Sequence, residues 1–503
     1  METKLTLHVA PGDLDRLREH PLLAVQADAP AREADFLDTY FDTPELDLWK
    51  QGLTLRIRED NGAWLQTLKA VAGALNGSNK RDEWESALPD NVPQPALLAR
   101  QIKPAHLSRL LASPEIGEQL QPVFQTATRR TTWDIKLPEG EEFECALDSS
   151  NIACGERHTQ LGQLGLELKH GSPSQLFDLA LALHQSVPVQ VAHDSKAARG
   201  FALLAPEPVR ARKAAAVRLR SKMTLEAAFE SIGLNCLEQM QANVVGVLKK
   251  DVESLHQLRV GLRRLRALLD MFHELAPLPQ QLQEEVDWLA GELGAARDWD
   301  VLLDSTLPRV EGIDASRLLE AGREKVGKLH KQMQHTLYTP RFTQILLSMG
   351  GWFKGRQWRD AGTLPKDSPL REPAASAALP LLRRAEKRLR KRIEALDKTD
   401  ASARHRVRIA AKKARYGAEF FHDLLPRRSV KEYVSQLSTL QDRLGVLNDL
   451  AVAERLLSEV EHDGGEVAHE AAFARGYVKA SSTADSQRLG KALAHVARLR
   501  MTR

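Results

Sequence analysis

The chain has 503 residues, 43% apolar and 27% charged, which is enough for two or three domains with sizeable cores. No apolar run approaches the roughly 18 residues of a membrane span, and Met1 to Val9 alternates rather than setting a charged segment before an apolar one; no leader is expected, and a cytoplasmic location is. Cys145, Cys154 and Cys236 have no metal-ligand spacing, which argues against a disulfide framework and a zinc site.

The net charge of +4 conceals an asymmetry: residues 1–204 hold 20 Lys plus Arg against 29 Asp plus Glu, and the remainder holds 51 against 38. The field that would attract a polyanion belongs to the second part.

Taken in chain order, alternation predicts strands at Lys4 to Val9, Leu53 to Arg58, Trp64 to Leu68, Glu83 to Ala87, Thr131 to Lys136, Glu142 to Leu147 and Gln163 to Lys169. Short helices are expected at Asp13 to His20, Pro95 to Ala99 and Pro173 to Gln185. One face of several strands is charged: Arg56 and Arg58, Glu83 and Glu85, Glu142 and Glu144. Such a face points to water or into a polar interior, so a closed barrel with a hydrophilic lumen is expected. Trp49, Trp64, Trp84 and Trp133 read as core.

Residues 205–222 are basic and contain proline, and read as a linker. Beyond them the period changes to 3.6. Helices are expected at Leu225 to Leu248, Val252 to Glu274, Gln280 to Leu293, Trp299 to Leu307, Ala315 to Leu337 and Pro340 to Trp352. After a Pro- and Gly-containing break at Gly362 to Pro373 come Ala377 to Leu396, Ala403 to Leu425, Val430 to Leu447, Asp449 to Val460 and Glu466 to Met501. The reading is an α+β multidomain chain: residues 1–204, the linker, then an all-α bundle over 223–503 with repeats at about 223–361 and 374–503.

A basic pattern occurs twice in that bundle: His256, Arg259, Arg263, Arg264 and Arg266, then His405, Arg408, Lys412, Lys413 and Arg415. The spacing puts each set on one helical face. Leu293-Gly294 with Arg297-Asp298 follows the first copy, and Leu444-Gly445 with Asn448-Asp449 follows the second, as in a duplicated unit. No Asp or Glu lies between Leu258 and Asp270, or between Arg404 and Gly417, so the cations read as unpaired. Near cations repel by roughly 1 kcal/mol per pair, and a bound polyanion would relieve this. The two histidines are expected to contact phosphate, and Asp298 and Asp449 to orient basic residues or cap helices.

The helical part resembles a CHAD domain, which implies binding of inorganic polyphosphate. Residues 1–204 resemble a CYTH domain through Tyr40-Phe41-Asp42-Thr43-Pro44, Leu55-Arg56-Ile57-Arg58, Gln66-Thr67-Leu68-Lys69, Arg81-Asp82-Glu83-Trp84-Glu85, Arg130 with Trp133, Glu144 with Asp148, and Ser195-Lys196-Ala197-Ala198-Arg199-Gly200. That resemblance implies the triphosphate tunnel, an eight-stranded antiparallel barrel; the combination is similar to bacterial inorganic triphosphatases. It implies phosphate binding by Arg56, Arg58, Lys69, Arg81, Arg130, Lys196 and Arg199. It also implies Mg²⁺ or Mn²⁺ held by Glu2, Glu144, Asp148 and Glu167, with Glu2, Lys4, Glu83 and Glu85 in catalytic positions.

Two departures bear on activity. The family opens with Glu-x-Glu-x-Lys; without gaps Lys4 stands at the second Glu and Thr6 at the Lys, a shifted register puts Glu2 at the second Glu and Lys4 at the Lys, and either way the motif is incomplete. The strand Gln163-Leu164-Gly165-Leu166-Glu167 has Gln and Gly where the family alternates acids. An ammonium can hold phosphate but repels a divalent cation, so binding without efficient hydrolysis is expected. The alternative is a working metal-dependent triphosphatase cleaving tripolyphosphate to diphosphate and phosphate. Nucleic-acid binding is disfavoured because few aromatic residues accompany the basic ridges. The expected partners are therefore tripolyphosphate and inorganic polyphosphate, with polyphosphate granules as a further location, and neither membrane nor nucleic acid.

Overall fold

The computed structural model describes residues 3–24, 29–60, 62–70, 83–138, 140–192, 194–206, 210–360, 362–397, 400–487 and 489–500. The chain forms two compact units, Met1–Val209 with Leu346–Gly355, and Arg210–Ile345 with Arg356–Arg503.

The first unit is built on one antiparallel sheet of β1 (Thr3–Val9), β2 (Arg32–Asp42), β3 (Leu53–Asp60), β4 (Ala63–Ala70), β5 (Glu83–Leu88), β6 (Gln121–Lys136), β7 (Glu142–Cys154), β8 (Arg157–His170) and β9 (Val189–Val191). Its order is β5-β4-β3-β2-β6-β7-β8-β1-β9. This corrects the expected closed barrel of eight strands: among the described residues nine strands pair in an open order, with β5 and β9 at its ends. Strand β2 escaped the sequence reading because its start, Arg32 to Asp35, is exposed on both sides and full burial begins only at Asp38.

Alternation does the sorting. One face of β1, β6, β7 and β8 supplies Leu7, Val9, Trp133, Ile135, Phe143, Cys145, Leu147, Leu164 and Leu166 to a core closed by Leu176, Leu179 and Leu183 of the helix Pro173–Ser186. A second cluster joins Leu53, Leu55, Ile57 and Leu68 to Leu98, Leu107 and Leu111. Each fully buried leucine contributes about 1.5–3 kcal/mol relative to exposure. The opposite face carries the polar side chains, with a further apolar cluster of Tyr40, Phe124, Ile152, Cys154 and Leu161 at one end.

The helix Lys196–Leu204 begins at Ser195, whose Oγ accepts from Ala198 N at 3.1 Å. It lies against the sheet through Ala197 and Phe201, and Phe201 stacks on Trp49. Gly200 is required there because a Cβ would come within 2.2 Å of the Phe124 ring.

In the second unit the two basic helices are Val252–Phe272 and Ala401–Phe420, and they pack on one another. Each is started by an aspartate cap: Asp251 accepts from Ser254 N at 2.7 Å and Asp400 from Ser402 N at 2.8 Å. Small residues permit the close approach. A Cβ on Gly417 would meet Met271 at 2.4 Å, and Ala410, Ala411, Ala414 and Ala418 line the core against Leu437, Leu440 and Leu444. The two helices expected from Val430 onward are one, Arg427–Asp463. Trp299 to Leu307 is likewise not a separate helix: Gln280–Val301 runs into it and continues as a wider helical turn at Leu302–Thr306. Conversely, the helix expected over Leu225 to Leu248 is two, Leu225–Gln241 and Val244–Leu248.

Residues 205–222, read as a linker, belong from Arg210 onward to the second unit. Buried Asn243 exchanges two hydrogen bonds of 2.8 Å with the backbone of Arg212, and Asn235 Nδ2 donates to Ala215 O at 3.0 Å.

Gly200→Ala should destabilise the first unit by about 1–3 kcal/mol through overpacking against Phe124. Denaturant unfolding checks it; a variant as stable as the parent would mean the helix is not held as closely as described.

Candidate functional site

Residues directly opposite in a sheet share a face. The pairs Glu83↔Lys69, Glu85↔Thr67↔Arg56, Arg58↔Asp38↔Thr126, Arg130↔Asp148↔Gln163↔His8 and Glu144↔Glu167↔Lys4 therefore gather the charged residues on one polar face of the first unit. Glu2 and Arg81 lie outside the described residues.

Two buried aspartates organise the cations. Arg58 donates to Asp38 from Nε at 2.7 Å and Nη2 at 2.9 Å, and Arg56 Nη1 donates at 3.2 Å. Burial pushes the Asp38 carboxyl up, but the Arg58 hydrogen bonds and the charges of Arg56, Arg58 and Lys196 hold it below the usual range. Asp148 plays the same part for Arg130, at 2.7 and 2.8 Å, and for Lys196 Nζ at 2.8 Å. Arg58 also lies over the Phe36 ring at 4.1 Å. Burial pulls the Lys69 and Lys196 ammonium groups below their ordinary values. Such groups gain most from a bound anion. Arg199 is engaged by Asp194 at 3.0 Å, and His8 Nε2 lies 3.0 Å from the other oxygen of that carboxylate.

Among the described residues, the acids expected to hold a divalent metal, Glu144, Asp148 and Glu167, and those expected in catalytic positions, Glu83 and Glu85, have partners within the protein. Lys169 bonds Glu167 and lies 3.5 Å from Glu144, while Lys4 Nζ lies 3.4 Å from Glu167. Asp148 belongs to Arg130 and Lys196. Glu83 is paired with Lys69 at 2.7 Å, and Glu85 accepts from Thr67 Oγ1 at 3.0 Å. No group of three His, Cys, Asp or Glu side chains that could hold a metal ion occurs among the described residues. Among the described residues, the corner where Glu144 and Glu167 meet contains ammonium groups, which do not suit Mg²⁺ or Mn²⁺.

In the second unit the basic ridges of the two repeats face one another. Arg263 bears electrostatically on both Lys412 and Arg408. Burial and then the charges of Arg263, Arg408 and Arg415 push the Lys412 ammonium down to about 6. Burial also lowers Arg259, Arg408 and His256. The guanidinium Nε atoms of Arg263 and Arg408 are buried without a hydrogen-bond partner. The repeat extends to detail: Arg259 Nη1 donates to Gly294 O at 2.8 Å and to Leu293 O, and Arg408 Nη2 approaches Gly445, where a Cβ would lie 3.9 Å from it. Asp298 and Asp449 bear on this cluster, as do Asp300 on Arg259 and Glu253 on His256; neither Asp298 nor Asp449 forms an ion pair among the described residues.

The ridges are not unpaired throughout, as the sequence suggested. Arg266 pairs with Asp287 at 2.8 Å, Lys413 with Asp270 at 2.7 Å and Arg415 with Glu419 at 2.6 Å. Arg264 is buried and donates to Gln239 and Asn235 at 2.7 and 2.9 Å, so it holds helices together. His405 Nδ1 lies 2.7 Å from Asn448 Oδ1. The acids that sequence inspection missed come from neighbouring helices or the next turn. What remains for an external anion is Arg263, Arg408 and Lys412, with His256 and Arg259 beside them.

Comparison with known proteins agrees with both halves. The CYTH domain profile matches residues 1–201 and the CHAD domain profile residues 231–458. An inorganic triphosphatase of Haemophilus influenzae is 30% identical over 166 residues, 33% of this chain and 45% of that protein, so the match spans less than half of the relative. The crystal structure of the CHAD domain from the plant Ricinus communis is 38% identical with a TM-score of 0.53, covering 59% of this chain and all of that domain.

Lys412 supplies a test of the cluster. An unfolded lysine keeps its proton up to about 10.5, whereas the folded one loses it near 6. Between these values the unfolded state binds more protons, so this group's penalty is full below about pH 6 and fades as pH rises to 10.5. Lys412→Met should raise the melting temperature at neutral pH, with the advantage shrinking at alkaline pH; a lower melting temperature would contradict the crowding.

Proposed function

Because the chain is a CYTH–CHAD protein, we propose that its polar sheet face captures short inorganic phosphate chains such as tripolyphosphate, that its helical cluster grips inorganic polyphosphate, and that hydrolysis is weak or absent. The observation that carries this reading is the pair of ammonium groups, Lys169 and Lys4, on the Glu167 carboxylate, with Lys169 also close to Glu144. Tripolyphosphate carries four or five negative charges. Arg56, Arg58, Lys69, Arg130 and Lys196 offer convergent donors whose existing partners can share them with phosphate oxygens. The carboxylates that would recruit a divalent ion and a nucleophilic water are neutralised from within the protein.

In the helical unit, recognition is by charge. Arg263 and Arg408 present planar donors with unfilled hydrogen-bonding capacity, and Lys412 recovers its proton when an anion arrives. Binding is therefore expected to tighten as pH falls toward 6. Reversal of Arg263 and Lys412 to Glu should abolish retention of polyphosphate in a pull-down or equilibrium-binding assay; normal retention would overturn the assignment.

A second reading, a metal-dependent inorganic triphosphatase, is favoured by the name of the Haemophilus relative and by the adjacent Glu144 and Glu167. Phosphate release from tripolyphosphate with Mg²⁺ or Mn²⁺ separates the two, with Arg56→Ala as the blank. The parent should release no more than the blank while still binding tripolyphosphate. The double change K4E/T6K, which completes the opening motif, should produce metal-dependent release. Release by the parent that is lost on Glu83→Gln would establish the enzyme.

A further inference from the structure

The segment Arg210 to Lys222 contains six cations, Arg210, Arg212, Lys213, Arg218, Arg220 and Lys222, and no acid. All six are exposed, and none forms an ion pair among the described residues. Exposed cations are usually just solvated, so the charge alone decides nothing. The way the segment is held says more.

It has no helix or strand of its own, yet it is fixed to the second unit at three places. Asn243 clamps both sides of the Arg212 peptide, Asn235 holds Ala215 O, and Asp423 Oδ2 accepts from Leu219 N at 3.3 Å. Asn243 and Asn235 are 1% and 7% exposed, so two buried amides are devoted to a segment that a linker would leave loose. Their partners on the segment, Arg212 and Ala215, are three residues apart, and the Leu219 anchor lies four residues further on, so the backbone is pinned along its length. Leu219 is buried and Ala211, Ala214 and Val217 are half-buried, which leaves the side chains of Arg210, Arg212, Lys213, Arg218 and Arg220 exposed.

We infer that Arg210 to Arg220 is a second polyanion-binding surface, an ordered cationic strap that takes up long inorganic polyphosphate chains. This rests on the polyphosphate reading above and adds chain-length selectivity to it. Like charges held close together on a pinned backbone cost repulsion that a bound polyanion relieves. The absence of aromatic residues between Ala205 and Thr224 leaves nothing to stack on bases, which favours an inorganic chain over a nucleic acid.

The test compares the full chain with the quadruple variant R210Q/R212Q/R218Q/R220Q and its charge-keeping counterpart R210K/R212K/R218K/R220K, using long-chain polyphosphate, tripolyphosphate and single-stranded DNA of equal charge. The glutamine variant should lose roughly tenfold or more in affinity for the long chain, and its salt slope should fall by about three. Tripolyphosphate binding should be unchanged, and the lysine variant should behave as the parent. Unchanged long-chain binding by the glutamine variant would overturn the inference, as would a loss confined to DNA. The R263E/K412E variant keeps the two ideas apart. If it alone loses the long chain, the cluster stands and the strap fails; if only the strap variant loses it, the cluster reading fails and the strap stands.

Discussion

A cation taken partly out of water needs an anion nearby, and much of this protein can be understood by asking which anion each one receives. On the sheet face the answer is internal. Asp38, fully buried, serves Arg56 and Arg58, and Asp148 serves Arg130 and Lys196. Removing either carboxylate would leave buried positive charge without compensation, a change that typically costs several kcal/mol. These aspartates therefore compensate the cations of the polar face from within the protein.

In the helical unit the answer differs between neighbours on one ridge. Arg266, Lys413 and Arg415 have protein carboxylates, and Arg264 has amides, whereas Arg263, Arg408 and Lys412 face one another. Duplication explains how this came about physically. Each repeat contributes one basic helix with the same aspartate cap, the same arginine reaching toward a glycine of the following helix, and the same outward row. Packing two copies face to face then concentrates positive charge that no single copy would hold. Clusters of perturbed, partly buried charge are a physical feature that functional sites share with structural ion-pair networks, and here the partner carboxylates of such a network are lacking at Arg263, Arg408 and Lys412 among the described residues.

The helical duplication was legible because helix faces are set by local spacing. The opening strand was legible too: the ladder puts Lys4, Thr6 and His8 opposite Glu167, Gly165 and Gln163, so the departures seen in the linear motif fall on the polar face itself. What could not be read was partnership at a distance. Asp38 sits on a strand whose first half lacks alternation, and Asp287 and Asp270 lie outside the runs that seemed free of acids. The anchoring of residues 210–220 was not legible, since nothing in their composition reveals that Asn235 and Asn243, twenty and thirty-one residues beyond the groups they bond, hold that backbone. The nine-stranded order likewise depends on long-range pairing that no local pattern specifies.

The claim on which the account rests is that the facing helices hold positive charge in want of an external anion. Calorimetric titration of the full chain with polyphosphate at about pH 7.5, repeated in buffers of different ionisation enthalpy, measures it directly. The account predicts net proton uptake on binding, lost when Lys412 is replaced by Arg. Binding with no proton uptake, or an absence of binding, would contradict it.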